Sequence, residues 1–110
     1  DVKHYICEHL DDTQLSVNVL AQMNYLSPDY LNRIFKKYHG SSIRNFIIKE
    51  RMSLAGVLLL EKGLSFTKVA ELVGYANYTS FVVSFKNYYG LAPSEYISSR
   101  KSGEHSKTTQ

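Results

Sequence analysis

Two short stretches carry side chains suited to reading a surface of alternating hydrogen-bond donors and acceptors. In "SPDYLNRIFKKYHG", residues 27–40, a helical turn of ~100° per residue places Asp29, Asn32, Arg33 and Lys36 on one face. Arg33 has the planar fork that matches guanine, and Asn32 the amide that matches adenine. Lys36 is a point charge better suited to a phosphate. Fifty positions later, Thr79, Val82, Val83 and Lys86 occupy the same helical register, and only the lysine is kept. The valines could meet thymine methyls, with Thr79 adding a hydroxyl. A protein partner or packing within the domain would account for them equally. For the first face, the bland account is a solvated helix surface with an Asp29–Arg33 ion pair.

These faces belong to a repeated unit. "FKKYHG" at 35–40 returns as "FKNYYG" at 85–90, Leu31 answers to Phe81, Phe46 to Tyr96 and Ile47 to Ile97. Ala21 answers to Ala70, at an offset of 49, so the turn before one repeat holds an extra residue. Self-similarity at a fixed period means one structural unit used twice. The repeated Leu31/Phe81 and Phe35/Phe85 point inward as core, while the outward face differs between copies. One frame therefore holds two different readers.

No segment reads as a strand, and the spacing predicts seven helices, an all-α fold. Val2, Ile6 and Leu10 mark a first helix, and Val17, Leu20 and Ala21 a second from about Ser16. Ser27 is an N-cap followed by Pro28 and Asp29, and Gly40 stops the third helix, whose stripe is Leu31, Ile34, Phe35 and Tyr38. A long fourth helix, about 42–62, carries Ile43, Ile47, Leu54 and Leu58 and ends at Gly63. Ser65 caps a fifth, with Phe66, Val69, Ala70 and Val73, closed by Gly74. Asn77 caps a sixth, with Phe81, Phe85 and Tyr89, closed by Gly90, and Pro93 opens a short seventh through Ile97. The domain is expected over 1–97, with helix-turn-helix units at about 1–41 and 64–97. The tail 98–110 has no apolar residue and is expected to be disordered. A linker of about 20 helical residues would span roughly 30 Å, near the ~34 Å between successive major grooves.

Composition narrows the function further. A hydrophobic content of 44% is ordinary for a globular chain of 110 residues, room for one modest domain. No apolar run reaches the ~20 residues that cross a bilayer, so no membrane role is expected. The chain lacks an initiator Met and reads as a piece of something longer. A single Cys7 rules out an internal disulfide and suits a reducing, cytoplasmic compartment. The net charge of +3 is unevenly placed: residues 1–26 are acidic at −3, 27–62 basic at +4 and the remainder +2. A basic middle points to a polyanionic partner. His4 and Cys7 make only two ligands, too few for zinc, and no cofactor is expected. No nucleophile–base pattern, paired carboxylates or phosphate-cradling glycine loop appears, so no enzyme is expected.

The sequence resembles the DNA-binding domain of AraC/XylS-type bacterial transcription regulators over about residues 2–97. The resemblance rests on "VAELVGYANYTSFVVSFKNYYGLAPSEYI" in the second half, with Ala70, Gly74, Tyr75, Asn77, Phe81, Phe85, Lys86, Gly90, Pro93 and Tyr96. "LAQMNYLSPDYLNRIFKKYHG" and "RMSLAGVLLL" carry it in the first half. It implies two helix-turn-helix units with recognition helices in adjacent major grooves of promoter DNA, and activation through contact with RNA polymerase. It also implies a sensing or dimerising domain on the N-terminal side. Base-reading positions carried over fall on Asp29, Asn32 and Arg33, then on Tyr78, Thr79, Val82 and Val83. Val83 departs from the pattern, standing where Arg or Lys is frequent, and Ala92 stands where a capping Ser or Thr is common. The competing readings are a protein-interaction domain that has lost DNA binding and an architectural binder without sequence preference.

Overall fold

Helix starts are set locally by capping side chains in the computed structural model. It describes the backbone of residues 1–61 and 63–109, and side chains as far as Lys101 apart from Lys62. Ser16, Ser27, Ser42, Ser65 and Asn77 each accept a hydrogen bond from the backbone N–H three residues on. Each thus satisfies one of the donors that a helix start leaves without an internal partner. The helices so defined are α1 (Val2–Glu8), α2 (Val17–Met23), α3 (Pro28–His39), α4 (Ile43–Leu59), α5 (Phe66–Leu72), α6 (Tyr78–Tyr89) and α7 (Pro93–Thr109). The fold is all-α among the described residues. The α2–α3 and α5–α6 pairs are its two helix-turn-helix units, and α4 joins them.

Two cores share α4. Ile43, Phe46 and Ile47 from its first half join Ile6, Leu20, Ala21, Leu31 and Phe35. Met52, Ala55 and Leu59 from its second half join Val69, Ala70, Val73, Phe81, Phe85 and Tyr96. The second core is richer in aromatics, with Phe85 centroids 5.7 Å from Phe81 and 5.3 Å from Tyr96. Tyr89 donates from its hydroxyl to the Met52 carbonyl at 2.7 Å. Burial, then the neighbouring Tyr96, push the Tyr89 phenol up to about 12.

Several boundaries differ from expectation. The linker helix ends at Leu59, because Leu60 and Glu61 donate to carbonyls three residues back and tighten the last turn. Lys62, its expected end, lies outside the described residues. Seventeen helical residues span about 25 Å, so α4 is shorter than the groove repeat that it was expected to match. Tyr38 is 74% exposed instead of lying on the buried stripe, which holds only Leu31 and Phe35. The tail expected to be disordered from Ser98 continues α7 as far as Thr109, and Gln110 lies outside the described residues. Tyr96 and Ile97 dock the start of α7 on the second core. At the start of α7, where Ala92 has no side-chain acceptor, Glu95 Oε1 accepts from the Ala92 N–H at 2.8 Å.

Candidate nucleic-acid interface

The turn that sets each recognition helix is built the same way twice. Leu26 N–H donates to Ala21 O at 2.9 Å, and Tyr75 N–H to Ala70 O at 3.0 Å. The residue before each donor has positive φ, +57° for Tyr25 and +90° for Gly74. These pairs keep the offset of 49, whereas the caps Ser27 and Asn77 are 50 apart, so Ala76 is the extra residue. At Gly74 the conformation and the space both demand glycine. A Cβ there would overlap the Leu10 carbonyl oxygen and come within 2.8 Å of Arg51 Nη2.

Burial along α3 and α6 repeats at every position but the first and last, where Pro28 and His39 are exposed and Tyr78 and Tyr89 half-buried. Arg33 and Val83 are exposed, Asn32 and Val82 half-buried, Phe35 and Phe85 buried. Asp29, Lys36, Thr79 and Lys86 are exposed as well. Arg33, Lys36, Val83 and Lys86 thus lie on matching outward faces, with Val83 at 55% exposure. Arg33 has no ion pair to Asp29; its guanidinium lies 5.9 Å from the Tyr30 ring centroid. Tyr78, carried over as a base-reading position, is instead half-buried, stacked on Phe66 and tilted against Phe81.

Asn32 has a different task from the one its amide implied. Its Oδ1 accepts the Ile43 N–H at 2.9 Å and so ties the start of α4 to α3. That bond uses one of the two lone pairs on Oδ1 and holds the half-buried amide at the α3–α4 junction. The second unit explains why. Residue 93, in register with Ile43, is proline and has no N–H, so its partner position can be the apolar Val82. Val82 packs on the second core. The contrast of Asn32 with Val82 is therefore a difference in helix junctions before it is a difference in reading.

The pairing makes a quantitative expectation. Asn32→Val alone removes the acceptor of a part-buried N–H and should cost about 1–3 kcal/mol of stability. With Ile43→Pro present there is no N–H to orphan, so Asn32→Val should then cost less than 1 kcal/mol, an estimate from the near-neutrality of removing both partners. Denaturant unfolding of the four proteins in the cycle measures this coupling. Equal costs in both backgrounds would remove the junction role from Asn32.

Two arginines were passed over in the sequence as general basic charge. Arg44 is exposed and lines a cleft of about 280 Å³ with Val17, Pro28, Asp29, Asn32 and Ser42, beside the start of α3. Arg51 is 8% exposed and belongs to the interior. Its Nε donates to Leu10 O at 3.1 Å, its Nη2 to Asp12 O at 2.8 Å, and its guanidinium lies 5.6 Å from the Tyr75 ring centroid. Burial lowers its pKa, while Tyr75 and Asp12 oppose the shift. The signal in the sequence was an arginine within the four-residue row Ile47, Arg51, Ala55, Leu59.

Residues 20–99 match the model of a family described as helix-turn-helix domain. The arabinose operon regulatory protein of Salmonella typhimurium is 31% identical over 96 residues, 87% of this chain and 34% of that protein. The chain belongs to the AraC/XylS-type helix-turn-helix family. The Msm operon regulatory protein of Streptococcus mutans is 36% identical over 84 residues, covering 76% of this AraC/XylS-type chain and 30% of the relative. The chain thus spans about a third of the length of these two regulators. Their names are those of regulators, not of enzymes. Among solved structures, the C-terminal domain of AraT, a response regulator from Geobacillus stearothermophilus, superposes with a TM-score of 0.85 at 33% identity. That likeness covers 89% of this chain and 81% of the other. The DNA-binding domain of AdpA, solved in complex with a target DNA, matches at a TM-score of 0.82 and 27% identity, covering 92% and 90%.

Proposed function

We propose that this AraC/XylS-type domain binds duplex DNA sequence-specifically, with α3 and α6 entering successive major grooves on one side of the helix. The supporting observation is the repeat itself: core positions stay buried and apolar in both units, while the exposed pairs Asp29/Thr79 and Arg33/Val83 differ and Lys36/Lys86 is kept. Arg33 reads a base edge from α3, while Lys36 and Lys86 hold phosphates. Thr79 and Val83 offer a hydroxyl and a methyl surface from α6. The domain serves a longer cytoplasmic regulator that activates transcription through RNA polymerase and dimerises outside this chain. The reading draws further support from a similar domain whose structure contains its target DNA.

The exposed Val83 favours one rival, docking of a protein on α6 without DNA contact. Titration against matched and scrambled duplexes at two salt concentrations separates the readings. The proposal expects preference for the matched duplex at both salts. A protein-docking domain binds neither, and an architectural binder does not tell them apart. Within that assay, Arg33→Ala should cost about 1–3 kcal/mol and relax preference at one or two base pairs. Lys36→Ala should weaken every duplex alike and flatten the salt slope by about one. Identical specificity profiles for the two variants would refute their division into reader and clamp.

A further inference from the structure

The two cores meet on α4 between Ile47 and Met52, and Arg51 lies at that seam. Its guanidinium holds the backbone carbonyls of Leu10 and Asp12, which belong to the α1–α2 loop of the first unit. Its other neighbours, the Tyr75 ring and Gly74, belong to the α5–α6 turn of the second unit. Gly74 also abuts the Leu10 carbonyl directly, since a Cβ there would overlap it. This seam therefore joins a loop of one reader to the turn that aims the other. Its members are hydrogen-bonded and close-packed, an arrangement with a single good geometry.

We propose that Arg51 is a positioning residue for spacing: by locking the α1–α2 loop against the α5–α6 turn, it fixes the distance and rotation between α3 and α6. The domain thereby selects DNA sites by the separation of their two halves as well as by sequence. Each unit packs on α4 through its own core, and the seam adds a direct contact between the two units. This inference rests on the proposed DNA reading, and its test includes one measurement that does not.

The decisive variant is Arg51→Met, which keeps an unbranched side chain and removes the hydrogen bonds and charge. Affinity is measured for a two-half site, for the same site with one base pair inserted or deleted between halves, and for each half alone. The parent should lose roughly tenfold or more on the altered spacings, since one base pair shifts the second half by ~3.4 Å and ~34°. In Arg51→Met that penalty should shrink severalfold while half-site affinity stays unchanged. A uniform loss on all duplexes with the spacing preference intact would overturn the proposal, leaving Arg51 merely structural.

If Arg51→Met does not fold, Tyr75→Leu removes the ring from the seam and leaves the carbonyl contacts in place. The same relaxation of spacing is expected from it, and an unchanged spacing penalty would count against the seam. A distance measurement is independent of DNA. Spin labels on Tyr38→Cys and Tyr88→Cys, both exposed and at matching ends of α3 and α6, are read in a Cys7→Ser background. The parent seam should give one narrow distribution, and Arg51→Met or Tyr75→Leu a broader or shifted one. A narrow, unmoved distribution in the variants overturns the proposal. Absence of DNA binding with the expected broadening would instead sink the DNA reading and spare the seam.

Discussion

Gly74→Ala should cost the domain about 2–6 kcal/mol of folding stability. Two terms combine. A non-glycine residue at φ +90° carries backbone strain of about 1–3 kcal/mol. The new Cβ would also overlap the Leu10 carbonyl oxygen, a backbone atom that cannot swing aside as a side chain can. Forcing an extra methyl group into a packed site costs a further ~1–3 kcal/mol. Against a total of roughly 5–15 kcal/mol, this is a large fraction. The melting temperature should fall by roughly 10 °C or more in a domain of this size. Gly40→Ala is the control. Its φ of +82° imposes similar strain, but nothing lies within 4 Å of the added Cβ. Only the strain remains there, about 1–2 kcal/mol. Equal losses at the two glycines, in denaturant or by calorimetry, would show that the close approach of the α5–α6 turn to Leu10 contributes nothing.

Val83→Arg should leave the fold intact and change binding by up to ~3 kcal/mol. Val83 is 55% exposed, so an arginine there is solvated and should alter stability by less than about 0.5 kcal/mol. In the helix register it stands where the first unit carries Arg33. On a duplex with guanine within reach of α6, the new fork gains a bidentate contact and steepens the salt dependence by about one. On a thymine-rich half-site it loses a methyl contact and sets a charge against the wrong edge, so affinity should fall. The sign of the change therefore depends on the duplex. Melting temperature and affinity for two duplexes at two salts check this. Unchanged affinity on every duplex, in a folded protein, would remove Val83 from the interface and favour protein docking on α6.

Much of this was legible in the sequence for local reasons. Ser27, Ser65 and Asn77 specify helix starts through side-chain oxygens that accept from the backbone three residues on, and the inward pairs Leu31/Phe81 and Phe35/Phe85 follow from helical periodicity. The outward positions Arg33 and Val83 follow from the same wheel. What escaped depended on contacts between distant segments. The junction bond from Ile43 N–H to Asn32, eleven residues apart, has no signature in the sequence. Val82 looks like an exposed valine until the second core is assembled around it. Arg51 counts as surface charge until Leu10 and Asp12, about forty residues away, are brought to its guanidinium. Ends of helices escaped too: α4 closes early through i→i−3 bonds, and α7 runs past Ile97.

Hydroxyl-radical footprinting of this chain on a duplex selected from a random pool tests the central claim most directly. The account predicts a protected region of about 15–20 bp in which two windows, one helical turn apart, lie on the same side of the duplex. Their sequences should differ, because the α3 and α6 faces differ. One window only, or protection spread evenly with no selected sequence, would contradict the reading of α3 and α6 as two readers held in one frame.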